Sequence, residues 1–346
     1  MVEASGLSKG KAESELLQRL RSRARPSAAD ITGTTKVRVV ADVWLAEVRD
    51  SDRSTSTKET YENLVERHLR KALGNVRVQE LTVGLLDQHL KSVRAHAGAS
   101  TAKQLRTVLT GVVGVAVRHD ALQFNVASQT SAVPVKGKQV IALSVDEAAA
   151  LRRSVAADTA AVRADLPDLV DLMLATGCRI NEALALQWKN VDLKSAVATV
   201  TLTATVARRR EQGLVLQDHP KTKASKRMLQ LPAFAVEMLL RRKVEQLANQ
   251  HDVVFPSSTG TLRDSHNVSR QWRQFQARSG RWAGVTSHTF RKTVATVLSR
   301  EFDALTASAQ LGHSSSTITE KYYIQRAHQG PDARETLASF AADPEG

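Results

Sequence analysis

The sequence has a single cysteine, Cys178, in 346 residues. An intramolecular disulfide and a multi-cysteine metal site are both excluded, and a reducing cytoplasm is the simplest setting. Aromatic residues make up only 4% of the chain, and three of them are tyrosines. No apolar run approaches the roughly 18 residues of a membrane span, and no secretory apolar segment follows Met1. There is no GxxxxGK phosphate loop, which argues against an ATP-driven enzyme. HExxH and any carboxylate group resembling a two-metal nuclease site are also missing. The expectation is a chain that needs neither cofactor nor metal and has no membrane partner.

Positive charge is what the sequence has in excess. Lysine and arginine number 49 against 35 acidic residues, a formal net charge of +14. Such a balance points to a polyanionic partner, with nucleic acid the first candidate. A membrane surface fits less well, because no basic helix carries a long apolar face. Apolar content is an ordinary 42%, so the chain folds, and its length suffices for two domains with cores of their own.

Residues 1–35 are polar and basic. KAESELLQRLRSRARP alternates in charge and is stopped by Pro26, which reads as a solvated helix with a flexible exit. Residues 36–126 read as all-helical. Val40, Val43, Trp44 and Val48 share one face. STKE at Ser56–Glu59 has the form of a capping box, opening a helix with Tyr61, Leu64, Val65 and Leu69 on one stripe. A shorter helix is expected around Leu85 to Leu90, and Leu105, Val108, Leu109, Val112, Val113 and Ala116 repeat at helical spacing. Four amphipathic helices of this size make a compact bundle, with Tyr61 packed in its stripe. Residues 127–140 (ASQTSAVPVKGKQV) have no periodicity and read as a linker, with Lys136 and Lys138 placed to touch phosphate.

A second domain is expected over residues 141–330, followed by a tail at 331–346. SVDE at Ser144–Glu147 is another capping box. Leu169, Val170, Met173 and Leu174 mark a buried helix ending at Gly177. VATVTLTATV, residues 197–206, is β-branched and alternating and reads as one strand. Residues 214–231 suggest one or two more strands, with MLQLP closing a small antiparallel sheet. Helices are expected again over 233–248, 266–278, 287–301 and 316–327. The fold class is mainly α with one small antiparallel sheet.

Four separated stretches carry chemistry. In ATGCRINEALAL, residues 175–186, Arg179 lies at a helix corner, and Glu182 shares its side and could orient the guanidinium. In HPKTKASKRMLQLP, residues 219–232, Lys221, Lys223, Lys226 and Arg227 crowd a turn. A phosphate contact, simple solvation and proton donation by one lysine all fit that turn. In TSHTFRKTVATVLS, residues 286–299, Phe290, Val294, Val297 and Leu298 form the buried face, while His288 and Arg291 project from one flank away from it. In LGHSSSTITEKYY, residues 311–323, His313 follows a turn glycine and a helix then carries Tyr322 and Tyr323. Each stretch alone is also what an ordinary helix corner, basic turn or packed aromatic would give.

Together, Arg179, the hairpin lysine, HTFR, LGH and a tyrosine nine residues after His313 resemble the tyrosine recombinase (phage integrase) family over roughly residues 36–330. The resemblance implies a helical core-binding, SAM-like bundle plus a mixed α+β catalytic domain of the DNA breaking-rejoining type. It implies Tyr322 as nucleophile, with Tyr323 an extra aromatic that packs or touches DNA. Arg179 and Arg291 would hold the scissile phosphate, and His288 and His313 match the two family histidines. Lys221 matches the hairpin lysine, with Lys223 as the alternative, and Glu182 the acidic residue beside the first arginine. His288 would accept the phenol proton, His313 would hydrogen-bond the phosphate, and Lys221 would protonate the leaving 5′-hydroxyl. The product would be a 3′-phosphotyrosine that religates without ATP.

The implied partners are double-stranded DNA and three further copies in a homo-tetramer, with room for a host DNA-bending protein or a directionality factor. The implied setting is the bacterial or phage-infected cytoplasm, at the nucleoid. Arg208, Arg209, Arg210, Lys226, Arg227, Arg270 and Arg273, with Lys136, Lys138 and Lys223, are the candidate DNA contacts. A type IB topoisomerase, a chromosome-dimer-resolving recombinase and a catalytically silent DNA-binding regulator remain alternatives to integration. Residues 1–35 are too short for the arm-site-reading domain of many phage integrases. PDARETLASFAA, residues 331–342, would pack either on its own subunit or on a neighbour through Leu337 and Phe340.

Overall fold

The computed structural model describes residues 10, 12–14, 31–134, 140–209, 212–218, 226–245, 248–312, 317, 319–320 and 323–324. Most of the expected N-terminal basic helix and all of the tail at 331–346 lie outside the described residues. So do Lys136, Lys138, Arg210, Lys221, Lys223, His313 and Tyr322. The chain divides into two compact units, Met1–Gly137 and Lys138–Gly346.

The first unit is helical, as the 3.6-residue periodicity demands. Helix α1 (Val37–Asp50) buries Val37, Val40, Ala41, Trp44, Leu45 and Val48. Helix α2 (Thr55–Leu64) starts two residues before the expected box: Ser54, not Ser56, is the N-cap, and its hydroxyl accepts from the Thr57 N–H at 3.3 Å. The helix then widens into a π-turn (Val65–Leu69) and resumes as α3 (Arg70–Leu73). The wider turn suits the four-residue spacing of Val65, Leu69 and Leu73, which are all buried. Helix α4 (Val83–Ala97) is longer than its apolar residues suggest because Thr82 caps it well ahead of Leu85. Helix α5 (Ala99–Arg118) supplies more buried core residues than any other described helix of this unit. Tyr61 packs on Trp44 with ring centroids 5.4 Å apart. Trp44 in turn lies against Gly111, where a Cβ would sit 2.4 Å from its Nε1, so only glycine admits the indole there.

The second unit opens with α6 (Val145–Ala157), capped by Ser144 and Glu147 in a reciprocal box as SVDE predicts. The short α7 (Thr159–Arg163) leads into α8 (Leu166–Thr176) and α9 (Ile180–Leu184). Strand β1 (Val191–Asp192) pairs antiparallel with β2 (Thr199–Leu202). The expected single strand over 197–206 is in fact two. The chain breaks at Thr203, and β3 (Ala204–Arg209) pairs with β4 (Gly213–Asp218) in a separate two-stranded sheet. Alternating β-branched residues continue through the break, so composition hides it. Strand β5 (Arg227–Gln230) closes the three-stranded sheet in the order β1-β2-β5, with Leu202 opposite Arg227.

Helices α10 (Ala233–Glu245), α11 (Ser265–Ser279), α12 (Ser287–Glu301) and α13 (Ala304–Leu311) complete the described unit. Helix α13 has no counterpart in the sequence reading. Trp272 meets Phe290 edge-on at 5.4 Å, and its indole N–H donates to the Val285 carbonyl at 2.7 Å. These contacts join α11 to the start of α12. On α12 itself Phe290 and Val294 are buried as expected, but Val297 is exposed.

Candidate active site

The site begins at the corner between α8 and α9. Gly177 ends α8 in the left-handed region (φ 66°), and a Cβ there would lie 2.8 Å from Leu311 Cδ2. Two residues on, Arg179 stands at the cap of α9 with its side chain 43% exposed. Its Nη1 donates to Glu182 Oε1 at 2.9 Å, and its backbone N–H donates to Oε2 at 2.8 Å. The spacing of three residues across a helix start makes this reciprocal arrangement possible, as the sequence suggested.

Glu182 is buried. Burial alone would raise its pKa. The Arg227 charge and hydrogen bond, the Arg179 N–H and the Arg179 charge together outweigh that and hold it down at about 2. The carboxylate is therefore ionised and lies between two guanidiniums.

Arg291 departs from its expected place on the open flank of α12. It is fully buried. Its Nη1 donates to the Gly177 carbonyl and its Nη2 to the Leu311 carbonyl, both at 2.7 Å. Both acceptors sit at C-terminal ends of helices, where carbonyls lack intrahelical donors and carry the negative end of the dipole. That pull explains the inward turn. Burial and the neighbouring Arg179 lower the Arg291 pKa to about 10, against the pull of Glu182, so it stays a cation at neutral pH.

His288 remains exposed, one turn before Arg291. Desolvation of the ring, with the charges of Arg291, Lys292 and Arg179, lowers its pKa below the ordinary value, so the imidazole is neutral at pH 7. Tyr323 completes the described cluster. Its ring lies 6.0 Å from that of His288, at 76°, and 5.4 Å from the Arg291 guanidinium carbon. Its backbone N–H donates to the Thr319 carbonyl. Behind the corner, burial raises the Cys178 thiol to about 11, so it is inert.

The structure thus gathers Arg179, Glu182, His288 and Arg291 from two distant stretches. Arg227, expected at the DNA surface, is instead drawn inside, its side chain 7% exposed. The strand alternation carried that signal: Arg227 shares a face with buried Leu229, while Met228 between them is 69% exposed. Arg208 pairs with Asp264 and Arg209 with Gln217, away from the cluster. Lys226, Arg270 and Arg273 are exposed. Among the described residues no group of three or more His, Cys, Asp or Glu could hold a metal ion, and no helix is long and apolar enough to cross a membrane.

Residues 142–329 match the phage integrase family, and residues 37–132 match the phage integrase central domain. The chain belongs to the phage integrase family. It is thereby a tyrosine recombinase. An integrase of Streptomyces ambofaciens is 27% identical over 92% of this chain and 83% of its own length. The tyrosine recombinase XerD of Corynebacterium glutamicum is 25% identical over 83% of this chain and 93% of its own. In fold, the chain is similar to the Tn1549 transposon integrase in complex with a circular intermediate DNA. The TM-score is 0.74 at 16% identity, covering 88% of this chain and 99% of that one. A lambda integrase tetramer bound to a Holliday junction gives a TM-score of 0.64 at 16% identity, covering 94% and 90%.

Proposed function

We propose that this member of the phage integrase family is a site-specific DNA recombinase of a phage or mobile element, cutting and rejoining DNA through a 3′-phosphotyrosine. The observation that carries the reading is the convergence of Arg179, Arg291 and neutral His288 at one corner. Two cations and a proton acceptor there meet an aromatic ring from the C-terminal segment. A phosphodiester gathers negative charge on its non-bridging oxygens as it is attacked. Arg179 would donate to those oxygens from the open side, and Arg291 would add its charge from beneath. One such donor is worth about 3 kcal/mol at the barrier, roughly a hundredfold in rate.

The tyrosine oxygen attacks phosphorus and gives its proton to His288. The bond from phosphorus to the 5′-oxygen breaks, and that oxygen takes a proton from Lys221 or Lys223. Both strands of charge are then balanced: one phosphodiester-like bond replaces another. The reverse step, by a 5′-hydroxyl from a partner duplex, religates without ATP. His313 would hydrogen-bond the phosphate. Double-stranded DNA is the partner, held by four protomers like the lambda integrase relative on its junction. The domain assignment that goes with this is a core-binding bundle at 36–126, a linker at 127–140 and a catalytic domain at 141–330.

Tyr322 is the proposed nucleophile, by its nine-residue spacing from His313. A second reading is favoured by the contacts of Tyr323 with His288 and Arg291, which would make Tyr323 the attacking group. An SDS-resistant protein–DNA adduct decides between them. On the first reading it vanishes in Tyr322→Phe and survives in Tyr323→Phe, and the reverse pattern moves the role to Tyr323. An adduct retained when Tyr322→Phe and Tyr323→Phe are combined would end the tyrosine mechanism. Integration is separated from topoisomerase action by assaying exchange between two plasmid-borne sites against relaxation of a supercoiled plasmid lacking them.

A further inference from the structure

We propose that Arg227 is a positioning residue of this site, locking the carboxylate that aims Arg179; the inference rests on the recombinase reading above. The Arg227 guanidinium spans two elements. Its Nη2 donates to Glu182 Oε2 at 2.9 Å and its Nε to the Gln310 carbonyl at 3.0 Å. Glu182 Oε2 is the same atom that accepts the Arg179 backbone N–H, and Oε1 takes Arg179 Nη1. A continuous chain of charge-assisted bonds therefore runs from Gln310 through Arg227 and Glu182 to Arg179.

Each end of that chain matters for the chemistry. Gln310 lies in the last turn of α13, just before the stretch that carries His313. Arg227 opens β5, four residues after Lys223 in the sequence, and its backbone is fixed by pairing with Leu202 on β2. One planar group thus ties the start of β5, the Arg179 corner and α13 together. Lysine can keep the charge but cannot point two rigid N–H bonds at two acceptors. With its side chain 7% exposed, Arg227 does not act as a surface phosphate ligand. It acts through Glu182.

The test uses the full-length protein and nicked duplexes cut from the DNA that adjoins its own coding sequence. Adduct formation is timed at saturating DNA, and DNA affinity and thermal unfolding are measured in parallel. Arg227→Gln is expected to slow adduct formation about a hundredfold, the scale of a small misplacement of a catalytic group. DNA affinity should stay within about threefold of wild type on the same argument, because no phosphate contact is lost. Arg227→Lys should recover part of the rate. Arg227→Gln combined with Glu182→Gln should be no slower than the slower single variant, since the two act as one unit.

Three results overturn the role: wild-type cleavage by Arg227→Gln, a loss confined to DNA affinity, or effects of the two substitutions that multiply. Loss of cooperative unfolding in both Arg227→Gln and Arg227→Lys would make Arg227 a folding residue and also overturn it. A wild-type protein that forms no adduct on any of these duplexes would defeat the recombinase reading itself, and this inference with it.

Discussion

Arg291 Nη1 donates to the carbonyl of Gly177 at 2.7 Å, across a sequence separation of 114 residues. The bond pins the start of α12 to the corner that presents Arg179. It also makes the backbone path at Gly177 part of the site. The carbonyl points where it does because Gly177 turns into the left-handed region and has no Cβ to strike Leu311 or Val294.

Gly177→Ala should therefore damage the corner. The added methyl meets Leu311 Cδ2 at 2.8 Å and Val294 Cγ1 at 3.1 Å, at a φ that L-residues avoid. A stability loss of about 1–3 kcal/mol is expected in urea unfolding. Cleavage at saturating DNA should fall further than that loss alone would produce, because the Arg291 acceptor moves.

Glu182→Gln should leave Arg179 and Arg227 without their shared anion, at a cost on the order of 3 kcal/mol in urea unfolding near pH 7. The wild-type carboxyl has a folded-state pKa of about 2, below its ordinary 4.5. A depressed carboxyl contributes stability that is present above its unfolded value and lost as pH falls through the folded one. The wild type should thus lose on the order of 3 kcal/mol from this group between about pH 5 and pH 2. The glutamine variant should lack that part of the acid transition.

His288 should set the acid limb of the cleavage rate. Its pKa is depressed, so the neutral ring persists to lower pH than a free histidine would allow. Single-turnover rates should fall only as pH drops below about 6.5, the ordinary histidine value, and should plateau above it. His288→Asn should cleave about 10² to 10⁴ times more slowly and lose that limb.

Arg270 and Arg273 are both exposed, three residues apart on α11. If both meet phosphate, replacing the pair with alanine reduces the slope of log affinity against log salt by about 1.8, at about 0.9 per contact. Cleavage at saturating DNA should not change. A slope equal to that of the wild type would assign both residues to solvent.

Helix periodicity made the first unit legible, and reciprocal capping residues placed Ser144 and its helix to the residue. The α2 start was misread because Ser54 and Ser56 offer the same hydroxyl, and only the backbone conformation before Thr55 selects between them. The break at Thr203 was invisible because both strands are built from the same β-branched residues. Arg179 and Glu182 were readable from a three-residue spacing. The burial of Arg291 was not, because its acceptors are main-chain carbonyls at residues 177 and 311, and carbonyls leave no trace in sequence. Arg227 was misplaced at the surface for a related reason: a run of lysines and arginines conceals the one member whose strand face turns inward.

The two carbonyls that hold Arg291 also have a temporal meaning. One belongs to the corner between α8 and α9 and the other to the final residue of α13, so the ribosome delivers the second acceptor last. A nascent chain halted before Leu311 has Arg179, Glu182 and His288 in hand but only one of the two acceptors of the buried guanidinium. Synthesis thereby postpones the full seating of Arg291 until α13 has been made.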